Sequence, residues 1–234
     1  MTKLEKLEQL HVSEGKKDLQ TTYVHRRRFL QSVGIGIAGV SLIAAGCKKE
    51  ERSEGIYLGS GDVGLLNYAY VLEQLEAAFY TQVTQTFYNG ITDAERALLN
   101  DIKDHEIAHR EFLKNALGDV AVPTLDFNFS TINFSDRMAV LESAKQFEDV
   151  GVSAYNGSGL LFTDEKFLMV AAKIVSVEAR HAALVRDLIS EGSFASSEVI
   201  DTNGLERSRL PKEVLGLVSI YITTIINFED LPTA

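Results

Sequence analysis

Two short runs of this chain, 99–113 (LNDIKDHEIAHREFL) and 174–188 (IVSVEARHAALVRDL), each set a glutamate three residues before a histidine. On a helix that spacing puts a carboxylate and an imidazole on one face, one turn apart. With five His in the chain, about 0.4 such pairs are expected from composition alone. Both pairs here are framed by apolar residues at helical offsets. Glu106 has Leu99, Ile102 and Leu113 at minus seven, minus four and plus seven, and Glu178 has Ala171, Ile174 and Val185 at the same offsets. Each pair therefore points into the buried stripe of an amphipathic helix. An unpaired carboxylate there costs several kcal/mol, so a cation is expected beside it, and a metal is the economical one. Arg110 and Arg180 are the alternative cations, but they fall beside the Glu/His stripe rather than on it.

The rest of the body is organised around these two helices. From 62 to about 87 the chain reads as a helix, with Leu66, Ala69, Tyr70, Glu73, Ala77 and Tyr80 on one stripe. Asn89-Gly90 breaks it, and Thr92 with Glu95 forms a capping-box signature for the second helix, which runs to about Leu117. Residues 119–134 contain a Pro and alternating apolar residues and are too long for a tight turn, so they read as a crossover. Ser135 is expected to cap a third helix, 136 to about 156, with Glu148 and Tyr155 on its apolar face and Gly157-Ser158-Gly159 interrupting it. A fourth helix, 164 to about 190, carries Glu178 and His181. Pro211 opens a fifth to about 220, and the apolar tail 220–226 packs on the bundle or at a subunit contact.

The two halves echo each other. Glu73 precedes Tyr80 by seven residues, and Glu148 precedes Tyr155 by seven. Each is followed by a Glu-x-x-His helix. Folding the first pair antiparallel about Asn89-Gly90 brings Glu73 level with Glu106 and His109. The second pair levels only if 160–162 continue about one more turn. The expected fold is all-α: an antiparallel four-helix bundle, with a long crossover between helices 2 and 3 and an extra C-terminal helix. The domain reading is an export signal over 1–47, a linker over 48–61, the bundle over 62–190 and a C-terminal helix and tail over 191–234.

Leu72-Glu73-Gln74-Leu75-Glu76-Ala77-Ala78-Phe79-Tyr80 and Phe147-Glu148-Asp149-Val150-Gly151-Val152-Ser153-Ala154-Tyr155 resemble the first- and third-helix motifs of the ferritin-like superfamily, and more narrowly its exported, desiccation-related type. The resemblance spans about 62–190. It implies that Glu73 and Glu148 each bind one metal terminally, that Glu106 and Glu178 bridge two ions, and that His109 and His181 each ligate one. Two iron or manganese ions are the implied cofactor, since carboxylates with few imidazoles suit those metals better than zinc or copper. Tyr80 and Tyr155 read either as hydrogen-bond partners of the terminal carboxylates or as core packing. Glu76 is a rival to Glu73 on the same face, and the step of seven to Tyr80 favours Glu73. His105 and His25 read as solvent-facing.

The first fifty residues read as an address. A basic stretch is followed by an apolar, Gly-rich run over 32–46 and then Ala44-Ala45-Gly46-Cys47. The run is short for a membrane span; an uncleaved N-terminal anchor is the alternative. Arg26, Arg27, Phe29 and Leu30 resemble a twin-arginine signal, and the closing residues resemble a lipoprotein box with Cys47 as the lipidated residue. Lys48-Lys49-Glu50-Glu51 also resembles a signal that sends some lipoproteins to the cell surface. The expected location is the cell envelope or periplasm, lipid-anchored to a membrane, and the expected partners are the twin-arginine export machinery and a homo-oligomer.

Charge narrows the function classes. Of 23 Lys/Arg, seven lie within 1–46, and of 33 Asp/Glu, four do, which leaves 16 basic and 29 acidic residues downstream, a net of −13. Such a body does not fit nucleic acid, which needs a basic face. The single Cys excludes an intrachain disulfide and a Cys₄ iron site. The leading expectation is a di-iron or di-manganese oxidoreductase of ferroxidase, peroxidase or catalase type. The alternative is a metal-binding, storage or stress-protective structural protein without turnover.

Overall fold

The computed structural model describes residues 54–233. Arg26, Arg27, Phe29, Leu30 and Cys47, read above as an export and lipidation signal, lie outside the described residues. Four long helices dominate: α1 (Gly61–Gln85), α2 (Asp93–Leu117), α3 (Arg137–Gly159) and α4 (Glu165–Ile189). A short α5 (Pro211–Val218) follows. α1 pairs with α2 and α3 with α4, and α1 also touches α3. This is the all-α hairpin–crossover–hairpin arrangement, with the extra C-terminal helix packed on α3.

The helix starts are set by side-chain caps. Thr92 and Glu95 form a reciprocal capping box at α2, which satisfies two otherwise orphaned backbone N–H groups. At α3 the cap is Asp136, whose carboxylate accepts from the Ala139 N–H at 2.7 Å; the sequence reading had placed it at Ser135. Asp164 caps α4 through the Lys166 N–H at 2.8 Å. α1 lacks a side-chain cap. Instead the Asp62 carboxylate in its first turn accepts from the backbone and hydroxyl of Thr163 and from the Asp164 N–H, each at 2.8 Å. That bond set ties the start of α1 to the start of α4.

α3 corrects the sequence reading. Gly157-Ser158-Gly159 was expected to break the helix, yet α3 continues through Gly159. The glycine has another purpose. A Cβ at Gly157 would stand 1.9 Å from the Arg209 carbonyl oxygen, and the Arg209 N–H donates to the Ser153 carbonyl at 2.9 Å. The returning C-terminal segment presses so close to α3 that only a hydrogen fits. Residues 160–162, which were expected to continue the helix about one more turn, lie outside it, since α3 ends at Gly159 and α4 begins at Glu165; Glu148 and Glu178 come together all the same.

The crossover is anchored by buried amides. Asn67 donates to the Leu58 and Val120 carbonyls and accepts from the Val122 N–H, all within 3.0 Å. Gln74 accepts from the Leu125 N–H at 2.9 Å. Phe129 of the crossover enters an aromatic layer with Phe79, Phe147 and Tyr221, with Phe79 and Phe147 meeting edge to face at 4.9 Å. Such pairs add about 1 kcal/mol each beyond area burial. The tail after α5 packs on this layer through Tyr221. It then forms a parallel two-stranded ribbon, β1 (Ile56–Tyr57) with β2 (Ile226–Asn227). Residues 56–58, which the sequence reading had placed in a linker, are thus tied to the body, with Leu58 fully buried. Among the described residues, no helix is long and apolar enough to cross a membrane.

Candidate metal centre

Four glutamates have no solvent exposure at all: Glu73 on α1, Glu106 on α2, Glu148 on α3 and Glu178 on α4. One comes from each long helix, with the two histidines one turn along from Glu106 and Glu178. The structure brings all six residues together as two overlapping clusters. One is Glu73, Glu106, His109 and Glu178; the other is Glu106, Glu148, Glu178 and His181; within each, the donor atoms lie within 4.8 Å of one another. Glu106 and Glu178 are common to both clusters.

The imidazoles face inward through Nδ1. His109 Nδ1 lies 2.9 Å from Glu178, 3.4 Å from Glu73 and 3.6 Å from Glu106. His181 Nδ1 lies 2.7 Å from Glu106 and 3.6 Å from Glu148. Though close, none of these pairs has hydrogen-bond alignment. Both Nδ1 atoms, Oε2 of Glu73 and of Glu148, and both oxygens of Glu106 and Glu178 are buried without a hydrogen-bond partner. Native proteins very seldom leave so many buried polar atoms unpaired. The donors crowd together without hydrogen-bonding one another, an arrangement that metal ions among them would satisfy. The expected cationic rivals stand elsewhere: Arg110 pairs with Glu111 at 2.8 Å, and Arg180 is exposed.

The tyrosines are hydrogen-bonded, and crosswise. Tyr80 of α1 donates to Glu148 Oε1 of α3 at 2.5 Å, and Tyr155 of α3 donates to Glu73 Oε1 of α1. Each phenol engages one carboxylate oxygen and leaves Oε2 facing the cluster.

Two groups have neighbours across the bundle that the sequence did not show. Of Glu73 and its rival Glu76, only Glu73 joins the donor clusters, yet Glu76 is buried too, at 2 % exposure. Its Oε2 is also unpaired. It fits because the facing residue on α3 is Gly151, where a Cβ would stand 2.9 Å from Glu76 Oε1 and 3.4 Å from Glu178 Oε2. His105 is exposed, as expected, but its Nδ1 lies 2.9 Å from His181 Nε2. The rings are nearly coplanar, 9° apart, with centroids at 5.2 Å. That separation is what the 2.9 Å contact plus two ring radii gives, so the imidazoles meet edge to edge in a hydrogen bond and are not stacked face to face. With His181 Nδ1 serving a metal, Nε2 carries the proton and donates to His105.

Electrostatics without metal are unfavourable. Burial, with the neighbouring carboxylates adding to it, pushes Glu76 and Glu178 well above the usual carboxylate range. Burial raises Glu148, and it raises Glu73 to about 7 against the pull of His109 and Tyr155. Glu106 goes the other way. Burial opposes its ionisation, but His109 and His181 together hold it down to about 2. Burial alone would lower His181, yet Glu106 and Glu148 lift it to about 10, and His109 is raised in the same way by Glu106, Glu178 and Glu73. The four carboxylates of the two clusters, when ionised, carry a charge of −4, which two divalent ions would neutralise with both imidazoles neutral.

The comparison with known families agrees with this fold. The model of the ferritin-like domain matches residues 61–191, which spans α1 to the end of α4. The chain belongs to the ferritin-like domain family, and it holds a buried carboxylate/histidine cluster compatible with a di-metal site. No curated protein matches the chain.

Proposed function

We propose that this protein is an exported di-metal carboxylate oxidoreductase of the cell envelope, which binds two iron or manganese ions and acts on peroxide, dioxygen or ferrous iron. The observation that carries the reading is the convergence of eight unpaired, buried donor atoms from Glu73, Glu106, His109, Glu148, Glu178 and His181. In this reading Glu73 and His109 would hold one ion, Glu148 and His181 would hold the other, and Glu106 and Glu178, common to both clusters, would serve both. When bound, such a metal pair supplies redox equivalents and Lewis acidity to a small oxygen species.

The chain's own groups prepare that site. Tyr80 and Tyr155 fix the rotamers of Glu148 and Glu73 and keep a proton on the outer oxygen of each hydrogen bond. Tyr80, Phe79 and Phe147, buried to within 1 % of complete, exclude bulk water, so the centre's charges are screened little. His105 fixes the tautomer of His181. His109 has a side chain 14 % exposed, against 5 % for His181, so a small molecule reaches the centre more readily from the His109 side. The address over 1–47 supports export by the twin-arginine route, and Cys47 supports a lipid anchor.

The test is metal content by mass spectrometry on the chain from residue 48, after reconstitution with each ion, beside Glu106→Gln/Glu178→Gln. About two iron or manganese ions per chain, lost in the variant, together with consumption of peroxide or oxidation of ferrous iron, would support the proposal. No bound metal would overturn it. Tight binding without turnover would leave the storage or stress-protective reading in its place.

A further inference from the structure

The starts of α1 and α4 and the end of α3 lie at one end of the bundle, held together by the Asp62 hydrogen bonds to Thr163 and Asp164. That end is unusually apolar. Of the twelve large apolar side chains exposed among the described residues, five are Val63, Val120, Leu160, Leu168 and Met169, with Leu160 at 87 % exposure and Met169 at 58 %. Val120 joins the group because Asn67 of α1 holds its carbonyl. Leu160 extends from the α3–α4 connection, and Leu168 packs below it, 3.6 Å from where a Cβ on Gly159 would stand. Isolated exposed leucines need no explanation, but a clustered apolar end does.

Asp62 accepts three hydrogen bonds and Asp164 caps its helix. The exposed pair Glu165 and Lys166 carries no net charge, and Asp119 stands exposed beside Val120.

The chain also enters at this end. The Ile56 N–H donates to the Ile225 carbonyl in the ribbon that precedes α1, and Ile225, 62 % exposed, borders Gly55. Cys47 lies seven residues before Glu54, and seven residues reach at most about 25 Å when fully extended. On the reading of Cys47 as the lipid-bearing residue, any bilayer that holds it is within that distance of Glu54, which precedes the first turn of α1 by seven residues.

From this juxtaposition we propose that the end carrying Val63, Val120, Leu160, Leu168 and Met169 is a membrane-contact surface, which lies against the headgroup–acyl boundary of a bilayer and fixes the bundle's orientation. No helix among the described residues spans a membrane, so the contact is interfacial. The partner is a lipid surface rather than a second copy because, on the Cys47 reading, the tether would hold lipid near this end at high effective concentration.

The natural chain has no Trp and one Cys, which makes the test direct. The chain from Cys47, whose core lies wholly within the described residues, is coupled through that cysteine to maleimide-bearing phosphatidylcholine vesicles. Leu160→Trp reports on the apolar end and Asn89→Trp on the α1–α2 turn at the other. The expected result is a blue shift of the Leu160→Trp emission and strong quenching by brominated lipids, with the Asn89→Trp signal unchanged. Adding Met169→Asp and Leu168→Asp should reverse the Leu160→Trp quenching while leaving the circular dichroism intact. Equal or absent quenching at both positions would overturn the proposal. A blue shift that grows with protein concentration in the absence of lipid would also overturn it, in favour of a second copy. Mass spectrometry of Cys47 from cells tests the anchor reading separately, because the coupled chain does not depend on natural lipidation.

Discussion

The metal-free centre should make the protein lose stability as pH rises, and Glu73→Gln should recover much of that loss. Glu73 is fully buried and its carboxyl rises from an ordinary 4.5 to about 7. A folded-state value above the unfolded one means that the folded chain holds this proton more tightly. Its contribution is then complete below about pH 4.5 and is lost as pH rises through 7. The difference corresponds to roughly 3 kcal/mol. Glutamine keeps the size and can still accept from Tyr155, but it cannot ionise. At pH 8, in chelator, Glu73→Gln should exceed the natural chain by about 3 kcal/mol, or roughly 6–12 °C in Tm for a domain of this size. At pH 5 the two should nearly coincide. Glu76, Glu148, Glu178, His109 and His181 are raised as well, so they push in the same direction and the variant keeps part of the slope. Glu106, held near 2, contributes stability that disappears only as pH falls toward that value, well below this window. Urea denaturation at pH 5, 6.5 and 8 measures the effect. A metal-free natural chain whose stability is flat or rising across that range, or a Glu73→Gln no more stable than it at pH 8, would refute the reasoning. Adding manganese should reverse the order, since the natural chain then gains binding free energy that the variant largely lacks.

Three further outcomes follow from the geometry. His105→Ala should weaken one of two bound ions by about 10- to 100-fold, with His105→Gln restoring part of it; competition titration with a chromophoric chelator resolves the two sites, and an equal effect on both would count against the His181 assignment. Gly151→Ala should displace Glu76 and weaken metal binding, whereas Gly216→Ala, with nothing within 4 Å of its added Cβ, should not; the same titration reads both. Gly157→Ala, with its Cβ 1.9 Å from the Arg209 carbonyl, should cost about 3 kcal/mol or more in thermal unfolding while leaving the far-ultraviolet spectrum helical.

The helices and their pairing were legible because the signals are local: an apolar stripe, a capping box at Thr92 and Glu95, and a break at Asn89-Gly90. The repeated Glu-x-x-His spacing was enough to direct Glu106, His109, Glu178 and His181 toward one interior. What escaped depends on contacts between helices. Glu76 looked like an alternative to Glu73 because a single helix shows only that both share a face; the space that admits both is made by Gly151 across the bundle. Gly157 looked like a helix break because glycine is a poor helix former, and the chain that needs its missing side chain returns some fifty residues later at Arg209. The bond between His105 and His181 links α2 to α4, and no periodicity along α2 could reveal it. The step of seven from Glu73 to Tyr80 was a true signal of shared face, but the hydroxyl serves the other helix's glutamate.

That exchange of tyrosines between α1 and α3 has an architectural meaning. Each helical hairpin supplies a glutamate that needs the other's phenol and a pair of donors that needs the other's carboxylates. In their glutamates, histidines and tyrosines the hairpins repeat one pattern, but they are not interchangeable: where α1 carries Glu76, the matching position of α3 is Gly151, and the space that glycine leaves is the space Glu76 occupies. A hairpin paired with its own copy would set Glu76 against Glu76, or glycine against glycine. The crossover of residues 118–136, by covalently joining the unlike halves, keeps their shared interior within one chain.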